Sequence, residues 1–291
     1  MENTYEKILG KDASQFILVI EKILSEVRNH KYHSMNENEF TSLVQSSPCE
    51  GQSQYMKELL YRANFGSLSA IAKNYEWLRG MHNSYEEGLY LPFASSFRCL
   101  IESAADSYFS LSNLCTILSK NIKSINDSIN KNSPNIYIST DLENQLIHYS
   151  HARRLNSGES APDSHKAETA ARYVKKLDEK TNSDFYDCYS ELCQLSHPAA
   201  QGVLHMMIPI NDQDCIFEHK FGKEKIDVLL EKHRDKFSAL LTFAFNPSIL
   251  ALKVINHIQF NELHVEPIDE LNMDHIVAWQ KCKQDIVQAG I

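Results

Sequence analysis

The sequence is short of the residues that reverse a chain. Nine glycines and eight prolines in 291 residues leave few places for tight turns. A β-sandwich or a Gly-rich nucleotide fold would need more of both, so composition favours helices. No CxxC pair occurs, and the seven cysteines are an odd number. That argues against a disulfide framework and for reduced thiols in a cytosolic protein. The opening "MENTYEKILGKDASQ" lacks the basic start and apolar run of a signal peptide. Positive charge is in deficit too. A net charge of −9 disfavours broad binding to phosphate backbones and leaves room only for a local basic groove. Gly-rich phosphate loops, HExxH and GxSxG are absent, and nothing in the sequence requires a cofactor or a metal.

What is present is helical periodicity. Residues 12–32 place Phe16, Ile17, Ile20, Ile23, Leu24 and Val27 on one face, with Asp12 or Ser14 available as a cap. Helices are expected at 53–64 and 66–80, divided around Gly66. Pro92 opens a helix whose stripe runs through Phe93, Phe97, Leu100, Ile101, Ala104, Tyr108, Leu111, Cys115, Leu118 and Ile122. Unbroken, it would span about thirty residues, or about 45 Å. "NDSINKNSPN" ends it. Thr140 and Glu143 have capping-box spacing at the start of the next helix. Another helix is expected from about Ser164 to Lys180, and one more, capped by Asn182 or Ser183, ends at His197 and Pro198. "VLHMMIPI" and "CIFEHKF" flank the polar "NDQD" and predict a β-hairpin near 203–221. Helices are expected again at 223–245, 248–259 and 274–288. The apolar "SALLTFAFNPSILALKVI" has Asn246 and Pro247 in its middle, so it reads as paired core helices and not as a membrane span. The expected fold is mainly α: a multi-helix bundle with a small hairpin, forming a single domain over 1–291. Within it lie an N-terminal helical region (1–85), a core at about 90–260 and a C-terminal helix (274–288).

Two places could carry chemistry. "FRCLIESAADSYF" sets Arg98 and Glu102 one helical turn apart on the flank of the apolar stripe. The pair is either a plain i,i+4 ion pair or an arginine held so that it points into a cleft. "YSELCQLSHPAAQG" ends a helix at His197. Pro198 disfavours helical geometry at the residue before it, which fixes His197 against unpaired carbonyls that attract a cation. His197 lies about 40° from Cys193 and about 80° from Tyr189 around the helix, near the core edge. A histidine so placed either caps its helix or moves protons.

These two blocks resemble a group of uncharacterised bacterial helical proteins with an RxxxE helix and a YxxL(S/C)xxxHP helix. Tyr189, Leu192, Cys193, His197 and Pro198 match the second block, and Arg98 and Glu102 the first. The group is distantly similar to the HEPN superfamily: helical, often dimeric proteins that include metal-independent ribonucleases and abortive-infection proteins of anti-phage defence. The resemblance covers roughly residues 90–260. It implies a cytoplasmic homodimer that cuts RNA, with Arg98, Glu102, Tyr189 and His197 as catalytic residues. The sequence departs from the superfamily in one respect. The usual R-x(4–6)-H spacing does not surround His197, and the stretch singled out for it is "RNHKYH", Arg28 to His33.

Weaker clusters complete the inventory. His148 and His151 in "HYSHARR" share a helix face without an identifiable third metal ligand. Arg153, Arg154, Arg172, Lys175 and Lys176 concentrate positive charge that could line an RNA groove or simply face solvent. The competing reading of the whole chain is a non-catalytic, dimeric module that recognises protein or nucleic acid.

Overall fold

The computed structural model describes residues 4–132, 137–181, 184–197, 200–220 and 222–291. The caps expected from Asn182 and Ser183, the side chain of Asp12, and Pro198 lie outside them. The chain is mainly α-helical with one small antiparallel hairpin, as composition and periodicity imply. The helices are α1 (Thr4–Leu9), α2 (Lys11–Glu26), α3 (Glu37–Ser46), α4 (Pro48–Glu86), α5 (Tyr90–Leu111), α6 (Leu114–Lys120), α7 (Ile122–Ile129), α8 (Thr140–His151), α9 (Ala170–Thr181), α10 (Phe185–Ser196) and α11 (Ala200–Leu204), then α12 (Gly222–His233), α13 (Phe237–Ile255), α14 (Glu266–Asp269) and α15 (Val277–Gln288). Strands β1 (Met207–Pro209) and β2 (Cys215–Phe217) pair with Ile208 opposite Ile216. The hairpin is shorter than its apolar runs suggest, because residues 200–204 are helical.

The chain forms two compact units. One is built from residues 1–18, 72–106 and 169–244, the other from 19–71, 107–168 and 245–291. In the first, Phe93, Phe97, Phe185 and Phe237 are fully buried, and Phe97 stacks on Phe237 at 5.0 Å. Such an aromatic pair adds about 1 kcal/mol to the area it buries. Inside it, Asn74 Nδ2 donates to the Ala244 carbonyl at 2.7 Å. In the second, Met56, Leu59, Leu118, Ile122 and Trp279 are core residues, and Ser119 Oγ donates to Asp285 at 2.8 Å, tying α6 to α15.

Four expectations about helix ends need correction. The helices expected on either side of Gly66 are one helix, α4. A helix-interior glycine costs only about 1 kcal/mol, less than the burial of Ala63, Ser67 and Ala70 around it returns. The long stripe from Phe93 breaks twice, at Ser112–Asn113 and again at Asn121, whose side chain donates to the Ile117 carbonyl at 2.8 Å. Leu111, Cys115, Leu118 and Ile122 are nevertheless all buried, so the stripe continues across both breaks. Pro247 divides nothing. α13 runs through it, giving up one backbone bond within an almost wholly apolar, buried segment. The Thr140 capping box does not form. Ser139 is the N-cap residue without a side-chain bond, and Glu143 instead bonds the Tyr55 phenol, whose pKa burial and that carboxylate push up.

One cap was missed. The Asp178 carboxylate on α9 accepts from the backbone N–H groups of Phe185 and Tyr186, both at 2.6 Å. Asp184 makes the turn between the helices with φ +53°, a conformation aspartate tolerates better than most residues. Asp178→Ala is expected to lower stability by about 1–2 kcal/mol, the usual value of a lost N-cap, measured by denaturant unfolding. Asp178→Asn, which keeps the acceptor oxygen, should recover most of it.

Among the described residues, one helical stretch, Gly222–Ile255, is long and apolar enough to cross a membrane. Of its most apolar window, 72% is buried inside the protein, as in a core helix of a soluble protein.

Candidate active site

α5 and α10 belong to the same unit and bring the two sequence blocks together. α5 carries Arg98 and Glu102 on the flank of its buried stripe, so neither is fully exposed: the side chains retain 16% and 27% of their accessible surface. α10 buries Phe185, Cys188, Tyr189, Leu192 and Leu195. Its last turn ends at Ser196, and His197 follows in an extended conformation. The His197 N–H donates to the Cys193 carbonyl at 2.9 Å, and its ring is solvent-exposed.

Arg98 is the centre of the arrangement. Its Nη1 donates to Ser196 Oγ at 2.7 Å and lies 3.1 Å from His197 Nε2. Ser196 in turn donates to the Leu192 carbonyl at 2.8 Å. Arg98 Nε lies 3.5 Å from Glu102 Oε1, close enough for charge attraction, yet Nε makes no hydrogen bond. Burial disfavours the guanidinium charge, but the Cys99 sulfur and Glu102 more than offset this. Glu102 also meets the Tyr189 phenol. Burial, Cys193 and Glu102 push that phenol well above its ordinary pKa, so it stays a neutral hydroxyl. Burial likewise raises Cys99 despite the adjacent guanidinium, which keeps it a thiol and a poor nucleophile. The result is a partly buried cation bonded to an exposed imidazole. Behind the cation stand a carboxylate and a phenol. Such a set can hold an anion beside a group able to move a proton.

Arg98, Glu102, Tyr189 and His197 therefore converge. Ser196 is a member that sequence reasoning missed, although its position beside His197 at the helix end was a usable signal. The basic residues do not all gather. Arg172, Lys175 and Lys176 lie on α9 in the same unit as this site, whereas Arg153 and Arg154 belong to the other unit. Arg153 is paired with Glu159, Nη1 to Oε2 at 3.0 Å. Lys175 Nζ sits 5.5 Å from the centre of the Tyr186 ring, a cation–aromatic contact the sequence pattern did not reveal. Asp178 and Lys175 on α9 both meet residues at the start of α10. Arg28 lies in a single 3₁₀ turn, Val27–Asn29, and His33 is exposed beyond it, both in the other unit. His151 Nδ1 lies 2.6 Å from Ser150 Oγ. Among the described residues no group of three metal-ligating side chains occurs.

A second charged cluster holds α10 from its other side. Glu191 Oε2 accepts from Lys232 Nζ at 2.7 Å and lies 2.9 Å from His233 Nε2. Burial pulls the Glu191 pKa up, but Lys232 and His233 outweigh burial and hold it below the ordinary value. A depressed carboxylate stabilises the fold above its unfolded pKa, near 4.3, and that contribution disappears as pH falls through the folded value. Glu191→Gln should therefore be less stable than the native chain at pH 7, by at most about 1 kcal/mol for so partly exposed a pair. The gap should close below about pH 4, as urea unfolding at the two pH values would show.

Compared with protein-family models, curated proteins and solved structures, this chain matches none.

Proposed function

We propose that the protein is a HEPN-like cytoplasmic defence effector that cleaves RNA by acid–base chemistry at Arg98 and His197. The observation that carries this reading is the 3.1 Å approach of Arg98 Nη1 to His197 Nε2, from two sequence blocks about ninety residues apart. In RNA cleavage the 2′-oxygen loses its proton and attacks the adjacent phosphorus. The bond to the 5′-oxygen breaks, leaving a 2′,3′-cyclic phosphate and a 5′-hydroxyl. His197 moves the proton, taking it from the 2′-hydroxyl or giving it to the 5′-oxygen. Arg98 balances the charge that grows on phosphate. Glu102 and Tyr189 hold the guanidinium in place, and neither step needs a metal. The basic α9 residues Arg172 and Lys175, with Tyr186 of α10 against Lys175, would track the strand.

The test is single-stranded RNA incubated with the purified chain in the presence of a chelator. Products bearing 5′-hydroxyl ends, made by the native chain and not by His197→Ala, support the reading. Intact RNA under these conditions, together with harmless expression during phage infection, removes it.

A second reading, a non-catalytic and dimeric interaction module, also has a specific observation behind it. Val203, Leu204, Ile210 and Phe217 around the β-hairpin are more than half exposed, an apolar surface of the kind that meets another protein. In that case the Arg98–Ser196–His197 chain of bonds only fastens the end of α10 to α5.

A further inference from the structure

The β-hairpin is anchored at its root and open everywhere else. At the root the His205 ring meets Tyr90 at 5.4 Å, the His205 carbonyl accepts from Lys225 Nζ, and Gly222 packs against Gly88. Beyond the root both faces are open. Met207, Pro209, Cys215 and Phe217 share one face, and all four are exposed. On the other face Ile216 is exposed, and its cross-strand partner Ile208 is only half-buried. A hairpin of two strands is marginally stable in water until further strands or a packed face support it.

Its two edges differ. Ile210 N–H donates to the Asp214 carbonyl and Glu218 N–H to the Met206 carbonyl, each at 2.9 Å. By the alternation of an antiparallel ladder, Ile208 and Ile216 bond each other, and the residues flanking them turn their backbone groups outward. On β1 one of those residues is Pro209, which has no N–H and blunts that edge. The β2 edge has no such block. Cys215 and Phe217 each turn an N–H and a carbonyl outward, and the Phe217 side chain is 72% exposed.

Charge then selects the occupant. The hairpin tip is acidic, with Asp212 and Asp214, and the chain leaving β2 carries Lys220. An edge acidic at one end and basic at the other complements a reversed copy of itself, and a two-fold axis supplies that reversal. Pairing centred on Phe217 sets Asp214 of each copy opposite Lys220 of the other and brings the two Phe217 residues together. Centring on Ile216 would set Asp214 against Glu218 twice, which like charge disfavours.

We propose that β2 pairs antiparallel with β2 of a second copy of this chain, giving a four-stranded sheet with Phe217 at the two-fold axis. The proposal rests on the apolar surface of the second reading and is independent of RNA cleavage. The test is sedimentation velocity of the full chain between about 1 and 200 μM, a range that brackets a Kd of about 1–100 μM for so small an interface. The native chain should pass reversibly from one copy to two. Phe217→Glu, at an exposed position where folding is safe, should weaken association by about tenfold or more. Lys220→Glu and Asp214→Lys should each weaken it, and an equimolar mixture of these two variants should associate more tightly than either alone, because only the mixed pair restores both contacts. A native chain that stays single at about 200 μM overturns the proposal. A dimer indifferent to Phe217→Glu keeps the second reading but overturns this pairing, and a mixture no tighter than its components overturns the register. Cleavage assays on the same samples separate the two ideas: RNA left intact by a dimer that meets these expectations removes the nuclease reading alone.

Discussion

RNA cleavage by the His197→Ala variant is expected to fall by about 10²–10⁴-fold, the usual value of a positioned proton-transfer group. The fold should barely respond. His197 is exposed, and its backbone bond to Cys193 does not depend on the side chain, so a stability change within about 0.5 kcal/mol is expected. Arg98→Ala should lose about 10²–10³-fold through the missing cation. It will also cost stability, because Glu102 keeps a partly buried charge without its partner. Arg98→Lys separates the two effects. It restores a positive charge beside Glu102 but not the fork that reaches Ser196 and His197 together. Recovered melting temperature with cleavage still low would assign the fork to chemistry. Variants that cut as fast as the native chain, yet melt earlier, would assign it to holding α10.

The largest expected loss of stability belongs to a glycine. Gly222→Ala should destabilise the protein by more than about 3 kcal/mol. A Cβ there would stand 1.7 Å from the Gly88 carbonyl oxygen and 2.7 Å from its carbon. Both are backbone atoms, and Gly88 itself adopts φ +66°, so no rotamer change relieves the clash. A melting temperature lower by roughly 6–10 °C in circular dichroism would match. Gly80→Ala is the control. Its Cβ would meet Ser96 Oγ at 2.7 Å, the end of a side chain that can rotate away, so its loss should be much smaller.

The helices were legible wherever the apolar stripe was regular, as from Phe93 to Ile122 and from Phe185 to Leu195. Their ends were not. Gly66 and Pro247 look like punctuation in sequence, yet the buried faces of α4 and α13 around them outweigh what each costs. The break at Ser112 carries no glycine or proline to mark it. The cap on α10 was invisible for another reason: its acceptor, Asp178, comes from a neighbouring helix. The candidate site was legible because each half sits at a helical landmark: a charged turn beside a stripe, and a histidine before a proline. The convergence of the halves depends on how α5 packs against α10, which periodicity does not encode. The same limit applies to the basic residues, which share one stretch of sequence but divide between two units.

The Arg98–His197 contact also distinguishes the two ring nitrogens of His197. A guanidinium can only donate, so Nε2 must be the acceptor and the ring hydrogen resides on Nδ1. To abstract a proton with Nε2 the imidazole must first be released from Arg98. An anion that drew Arg98 away would itself free that nitrogen, the step the proposed cleavage requires before His197 can act as a base.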